Sequence, residues 1–231
     1  MPTMISRLLS TLFLGLISTA LHAELLLQPF TATYQMTSKG LTTTATRTLI
    51  KNTDGTWLLR DNAAYLFFKV DEQSIFRLEN NNLQSQQYSY EQGTDKDFQL
   101  RFDWNKNYVF SSYKKKNIRY GLTPGAIDRL SLQLQLQWEM REGRGPDEKG
   151  RDYAVADDKD MKTYRITLIG KESITVNGKK IEAIHLQQQR PGKQRINHLW
   201  LDPAQNYQMV KFEQWEKGAK TSEMMLIDSK S

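Results

Sequence analysis

The 231-residue sequence has no cysteine, only three histidines and six prolines, and beyond its N-terminus it has no long apolar run. Each absence excludes something. Without cysteine there is no disulfide, no thiolate metal ligand and no acylation site for a lipoprotein anchor. Of the histidines, His22 lies in the N-terminal leader, which leaves His185 and His198. Both fall in strand-like segments and lack His-x-x-x-His spacing, so they read as ordinary strand residues and no metal is expected. Without a second apolar stretch of about 18 residues, no later helix is expected to cross a bilayer.

The motifs of catalysis are missing too. There is no Gly-x-Ser-x-Gly elbow, no Gly-rich phosphate cradle and no dinucleotide fingerprint, so no cofactor is expected. Ser111-Ser112-Tyr113-Lys114 matches Ser-x-x-Lys, but its companions Ser-Asp-Asn and Lys-Thr-Gly are absent, and so short a match arises by chance. Asp157-Asp158-Lys159-Asp160 lacks the glycine and distal glutamate of a calcium loop and reads as a solvated loop. A glycosidase carboxylate pair leaves no trace in sequence spacing, because its separation is spatial. No catalytic residue is assigned, and an enzyme is the least supported class.

What is present begins with a leader. Arg7 supplies a positive start and Leu8 to Ala20 an apolar segment of signal-peptide length. Cleavage is expected after Ala23, or alternatively after Ala20, giving an exported protein found in the periplasm. The domain reading is therefore a signal peptide, 1–23, and a single β-rich domain, 24–231, long enough to bury a sizeable core. The formal charge is +6, to which Arg7 is the leader's sole contribution. Positive residues gather at Lys114-Lys115-Lys116 with Arg119, and at Arg190, Lys193 and Arg195. Clusters of this size are usually hairpin tips or solvated loops, though they also suit an anionic membrane surface or lipopolysaccharide. Export removes nucleic acid as a partner.

From Phe30 onward the texture is strand after strand. Phe30, Ala32, Tyr34 and Met36 alternate with polar residues, as do Phe98, Leu100, Phe102 and Trp104, and later Tyr164, Ile166 and Leu168. Asp54-Gly55 and Asn177-Gly178 are tight-hairpin dipeptides, and Asn80-Asn81-Asn82, Lys106-Asn107 and Lys217-Gly218 mark further turns. The count is six strands or more before residue 123 and four or five after it, mostly joined by short turns. That pattern predicts a mainly β fold: a large, curled antiparallel meander, closed or half-open as a barrel, with one main α-helix. The Gly-rich, charged stretch 142–160 is expected to be a mobile loop.

The helix is placed at Thr123–Glu142. Leu130, Leu132, Leu134, Leu136, Trp138 and Met140 alternate like a strand, yet β-branched residues are missing and Leu, Gln, Glu, Met and Arg favour helix. Thr123 as N-cap and Pro124 at the first helical position would start it. Ile127, Leu130, Leu134 and Trp138 then form one apolar stripe, and Leu132, Leu136 and Met140 an opposite one. A two-sided helix needs cover on both sides, for instance between a sheet and a loop layer. The apolar run ending in Leu66, Phe67 and Phe68, with Trp104, Leu134 and Trp138, is either core or the lining of a lipid-sized cavity between the helix and the concave face of the sheet.

The order Val70-x-Glu72-x-Ser74-x-Phe76, Tyr88-x-Tyr90, Phe102-x-Trp104, Asp128-x-Leu130-Ser131, Gly170-x-Glu172 and Trp200-x-Asp202 resembles domain of unknown function family 3108, a family of exported bacterial proteins. The resemblance spans about Phe30 to Asp228. It departs from the family pattern in lacking a proline before Tyr88, where the chain reads Ser85-Gln86-Gln87, and another after the Trp200 strand, at Gln208. It implies a curled sheet similar to lipocalin-like and lipoprotein-carrier half-barrels in a Gram-negative envelope, and it carries no activity. It singles out Asp128 and Ser131, at the helix start, where a carboxylate caps backbone N–H groups. Two functions stay open: a carrier for a lipid or other apolar ligand, or an envelope structural or assembly factor that acts through a protein partner. Oligomeric state is left open.

Overall fold

The computed structural model describes residues 27–38, 40–65, 68–93 and 96–230; the leader expected at 1–23 lies outside them. Fourteen strands form one antiparallel sheet whose spatial order is β8 to β1, then β14 back to β9. The first eight are β1 (Phe30–Ser38), β2 (Leu41–Lys51), β3 (Trp57–Tyr65), β4 (Phe68–Glu79), β5 (Asn82–Glu91), β6 (Phe98–Asp103), β7 (Tyr108–Tyr113) and β8 (Lys116–Gly121). After helix α1 (Arg129–Arg141) come β9 (Arg151–Ala156), β10 (Met161–Val176), β11 (Lys179–Gln189), β12 (Arg195–Asp202), β13 (Gln208–Glu216) and β14 (Ala219–Lys230). The first and last strands pair with each other in the middle of the sheet, and β8 and β9 are its two edges.

Turn chemistry explains the meander. Asn80-Asn81, Lys114-Lys115, Asn177-Gly178 and Lys217-Gly218 all take positive φ at both positions, as the two-residue hairpin turns that match strand twist require. The lysine cluster is therefore a hairpin tip. The alternating face expected from sequence is the inner one, where Phe98, Leu100 and Phe102 are all buried beside Val109, Leu49 and Leu59.

The helix sits inside the curl. Leu130, Leu134 and Trp138 are buried on one side, and Leu132 and Leu136 on the other. Its cover is strand on more than one side: α1 touches β4, β5 and β9, not a sheet and a loop layer. Polar side chains complete the docking. Gln135 Oε1 accepts the Leu83 N–H at 2.8 Å, and its Nε2 donates to Asn82 Oδ1 at 3.0 Å and Glu139 Oε1 at 2.9 Å. Glu139 accepts from the Tyr153 hydroxyl of β9 at 2.5 Å.

Three expectations are corrected. The helix starts at Arg129, not Pro124: Thr123-Pro124-Gly125-Ala126 is a turn, with Ala126 N–H donating to Thr123 O at 3.1 Å and Gly125 at φ +72°. Proline and glycine at its two central positions suit a type II turn, and a positive φ is incompatible with helix. Stretch 142–160 is not one loop, because Arg151–Ala156 is a strand paired with β10. Its Tyr-Ala-Val-Ala core was outweighed by the charges around it. With β9 included, six strands rather than four or five follow the helix.

The edges do not pair with each other. Ile127, just before α1, makes a parallel bridge to Val155 of β9. Tyr120 of β8 donates its hydroxyl to Asp157 O at 2.5 Å, and Ser111 of β7 donates to Asp158 O at 2.5 Å. Lys159 lies over the Tyr113 ring of β7 at 5.2 Å, and the barrel is thus open, its seam crossed by a bridge and side-chain contacts but by no strand ladder among the described residues.

Candidate functional site

The Asp128 carboxylate is the joint between helix and sheet. Asp128 is extended (φ −85°, ψ 170°) and caps α1, Oδ1 accepting from the N–H groups of Leu130 at 3.0 Å and Ser131 at 2.8 Å. Oδ2 accepts from Ser74 of β4 at 2.6 Å and Ser85 of β5 at 2.5 Å, and Ser131 Oγ lies 2.6 Å from Ser74 Oγ. Burial pushes the Asp128 carboxyl above the usual carboxylate range, against the pull of those donors. The three hydroxyls and the acid are all buried and no histidine joins them. The cluster is buried and joins the helix start to β4 and β5. Ser85 opens the stretch Ser85-Gln86-Gln87, which lacks the proline expected before Tyr88, and β5 carries a bulge there.

One residue on, Arg129 leaves the core for the barrel mouth. Its Nη2 donates to the Tyr88 hydroxyl at 2.7 Å, and that hydroxyl donates to Glu72 Oε1 at 2.5 Å. The guanidinium also lies 4.9 Å from the Phe98 ring centroid and 5.1 Å from that of Tyr90. Burial opposes its charge, but Tyr88, Glu72 and Asp157 hold Arg129 protonated beyond the ordinary range. Burial pushes up Glu72 as well, partly offset by Arg129 and Tyr88. This mouth is a polar cavity of about 530 Å³ bordered by Arg129, Arg190, Lys193 and Arg195, with Asn197 and Gln188 behind them.

A second cavity, of about 340 Å³, lies at the other end of α1. Leu27, Phe30, Leu134 and Trp138 form its apolar walls, and Gln137, Arg141 and Gln208 its polar ones. Among the described residues, the buried Trp138 Nε1 and Asn197 Oδ1 have no hydrogen-bond partner, whereas the Gln208 side chain reaches the Tyr34 hydroxyl. Trp138 lines this cavity and Asn197 the mouth.

Of the cavity residues expected from sequence, the structure brings Leu134 and Trp138 together. Trp104 is elsewhere, stacked on Phe102 at 6.1 Å with its N–H donating to Ser85 O at 2.8 Å. Leu66, Phe67 and the Phe68 side chain lie outside the described residues. The polar mouth was missed, because Gln188, Asn197 and Gln214 reach the inner face only through strand register. The alternation Leu186-x-Gln188 was the available signal.

His185 and His198 do meet, on β11 and β12. His185 Nε2 is 2.8 Å from His198 Nδ1, its Nδ1 is 3.1 Å from Glu172 Oε2, and its ring stacks on Trp200 at 4.4 Å. Both His185 nitrogens and His198 Nδ1 are engaged in these contacts, and no cluster able to hold a metal occurs among the described residues.

Among solved structures, the chain is similar to a β-barrel-like protein of domain of unknown function DUF1849 from Brucella abortus. The two are 9% identical, the match covers 87% of this chain and 96% of that one, and the TM-score is 0.56. A chain of the Pseudomonas aeruginosa MucA/MucB complex (13% identity, 90% of this chain and 53% of that one, TM-score 0.39) and the hypothetical lipoprotein YmcC from Escherichia coli (9%, 90% and 89%, TM-score 0.32) superpose more loosely. At these identities the likeness is one of fold. No curated protein matches the sequence. The family model described as "Protein of unknown function (DUF3108)" matches residues 30–224, and the chain belongs to that family.

Proposed function

We propose that this is a non-catalytic binding protein of the bacterial cell envelope, and that its ligand is a single-chain amphiphile held in the cavity beside Trp138. The observation that carries the reading is the buried donor Trp138 Nε1, left without a partner on a residue that lines this cavity. A buried polar group without a partner costs about 1–3 kcal/mol, which favours a ligand that brings an acceptor. The remaining walls, Leu27, Phe30 and Leu134, suit an alkyl chain, and the volume of about 340 Å³ falls in the range of ligand sites. Leader-like residues 1–23 support the envelope location. The sealing of Asp128 and its serines inside the core supports binding rather than catalysis.

A protein-partner role has less support. Large exposed apolar side chains among the described residues are Leu41, Ile50, Ile169 and Ile227, with Leu41 and Ile50 at opposite ends of β2. A docking face would gather them into one patch.

The test is titration with a fluorescent fatty acid and a lysophospholipid. Wild type should bind saturably. Trp138→Phe keeps an aromatic side chain, though a smaller one, removes the donor and should weaken binding while the protein stays folded. Leu134→Trp should fill the space and abolish it. No saturable binding by wild type, or equal binding by all three proteins, would end this reading.

A further inference from the structure

The mouth at the N-terminal end of α1 carries chemistry of a different kind, independent of the cavity beside Trp138. Four cations border it, Arg129, Arg190, Lys193 and Arg195, against three carboxylates: Glu72 and Glu216 in the lining, and Asp157 beside Arg129 and Arg190. The Arg129 and Arg190 pairings to carboxylates are loose. Arg129 Nη2 is 3.9 Å from Glu72, and Arg129 Nη1 and Arg190 Nη1 are each 3.8 Å from Asp157. At that separation the carboxylates do not take up the guanidinium N–H donors, and hydrogen-bonding capacity is left over.

Arg190 and Lys193 are also held in place. They are the first and last residues of the turn Arg190-Pro191-Gly192-Lys193, closed by the Lys193 N–H donating to Arg190 O at 3.0 Å, with Gly192 at φ +73°. Proline followed by a positive-φ glycine fixes this as a stiff type II turn, so the two cations are presented together with little ordering left to do. Behind them Asn197 Oδ1 is buried and has no donor. Cations in excess in front of an unsatisfied acceptor define a ligand with an anionic group and a hydroxyl beside it.

We infer that the mouth is a binding site for a phosphorylated polyol or sugar, its phosphate on Arg190, Lys193 and Arg129 and a hydroxyl donating to Asn197. Guanidinium forks match phosphate oxygens in pairs, which favours this class over a lone halide or a neutral sugar. The phosphate is carried either by a free small molecule or by a lipid headgroup; the chemistry at the site is the same.

The experiment is calorimetric titration with sn-glycerol 3-phosphate, inorganic phosphate and glycerol. Co-flotation with phosphatidylglycerol vesicles, with phosphatidylcholine as control, runs alongside. Glycerol 3-phosphate is expected to bind more tightly than inorganic phosphate, glycerol not measurably, and affinity to fall as salt rises. Arg190→Gln and Lys193→Gln, on the surface turn, should each weaken binding by tenfold or more. Asn197→Ala should remove the preference for glycerol 3-phosphate over inorganic phosphate. Lys115→Gln and Lys116→Gln, at the β7–β8 hairpin and outside the lining of the mouth, should change nothing. Vesicle binding that needs Arg190 identifies a lipid headgroup as the source, and soluble binding without vesicle binding identifies a free phosphate ester. Either supports the site. No binding of glycerol 3-phosphate, or binding unchanged in Arg190→Gln and Lys193→Gln, would overturn it, as would vesicle binding lost only at Lys115 and Lys116.

Discussion

Asp128 shows how much one side chain can hold. It caps the helix and accepts hydroxyls from two strands, so its loss strands four donors in the core. Asp128→Ala is expected to destabilise the fold by about 2–4 kcal/mol, combining the loss of a cap with unsatisfied buried donors. Asp128→Asn keeps a capping oxygen and should cost less. Urea denaturation measures both, and equal stability of Asp128→Ala and wild type would refute the role. The histidine pair gives a residue-scale pH effect. Burial, and for His185 its neighbour His198, hold both imidazoles below the ordinary histidine range. Both are therefore neutral in the fold at neutral pH. Their contribution is fully present above the unfolded value of about 6.5 and is lost as pH falls through the folded ones. Glu72 and Asp128, raised chiefly by burial, act in the opposite sense at more acid pH, so the comparison must be internal. Between pH 7 and 5 the melting temperature of wild type should fall further than that of His185→Gln/His198→Gln. Parallel curves would show that the pair does not titrate as described. Of this scale the family resemblance singled out Asp128, whereas the local reading put the N-cap at Thr123. The sequence could not disclose the histidine contact, which depends on the register of β11 against β12.

At the scale of elements, local signals were reliable where local physics decides. Asn177-Gly178 makes its hairpin because both residues tolerate positive φ, and the two-striped helix exists because both stripes find apolar cover. Helix start and β9 were misread for the same reason. Pro124 favours a turn as readily as a first helical turn, and the charges flanking Tyr153-Ala154-Val155-Ala156 resemble those of a loop. Bulges were invisible in the sequence. Register shifts at Ile75/Phe76, Leu168/Gly170 and Trp200/Leu201 reassign inner and outer faces along their strands. Gln135 tests the helix as a docked element. Gln135→Ala leaves the helix intact but strips the partner from the buried Leu83 N–H, for an expected loss of about 1–3 kcal/mol. Gln135→Pro removes a backbone donor and clashes with the preceding turn, costing about 3 kcal/mol or more in addition. If Gln135→Pro melted with wild type, α1 would not be the organising element.

For the molecule as a whole, the chain ends are the centre and the middle of the chain is the rim. β1 is laddered on both sides, to β2 and to β14, whereas β8 is laddered only to β7. Contacts across the seam among the described residues include the Ile127–Val155 bridge, the hydroxyls of Tyr120 and Ser111, and Lys159 over the Tyr113 ring. Edge amides with few buried neighbours open locally at a fraction of the global free energy, while doubly paired central strands open only with the whole domain. Amide hydrogen exchange should therefore be slowest in β1 and β14 and fastest, among the strands, in β8. Tyr120→Phe removes the bond to Asp157 O and leaves the ladders intact, so it should speed exchange in β8 and around residues 157–160 without altering β1 or β14. Exchange in β8 as slow as in β1 would mean that the seam is held by more than these contacts. An unchanged profile in Tyr120→Phe would place its closure elsewhere. Fast β8 exchange that slowed on adding glycerol 3-phosphate would link the seam to the mouth through Asp157, which faces Arg129 and Arg190 on one side and accepts from Tyr120 on the other.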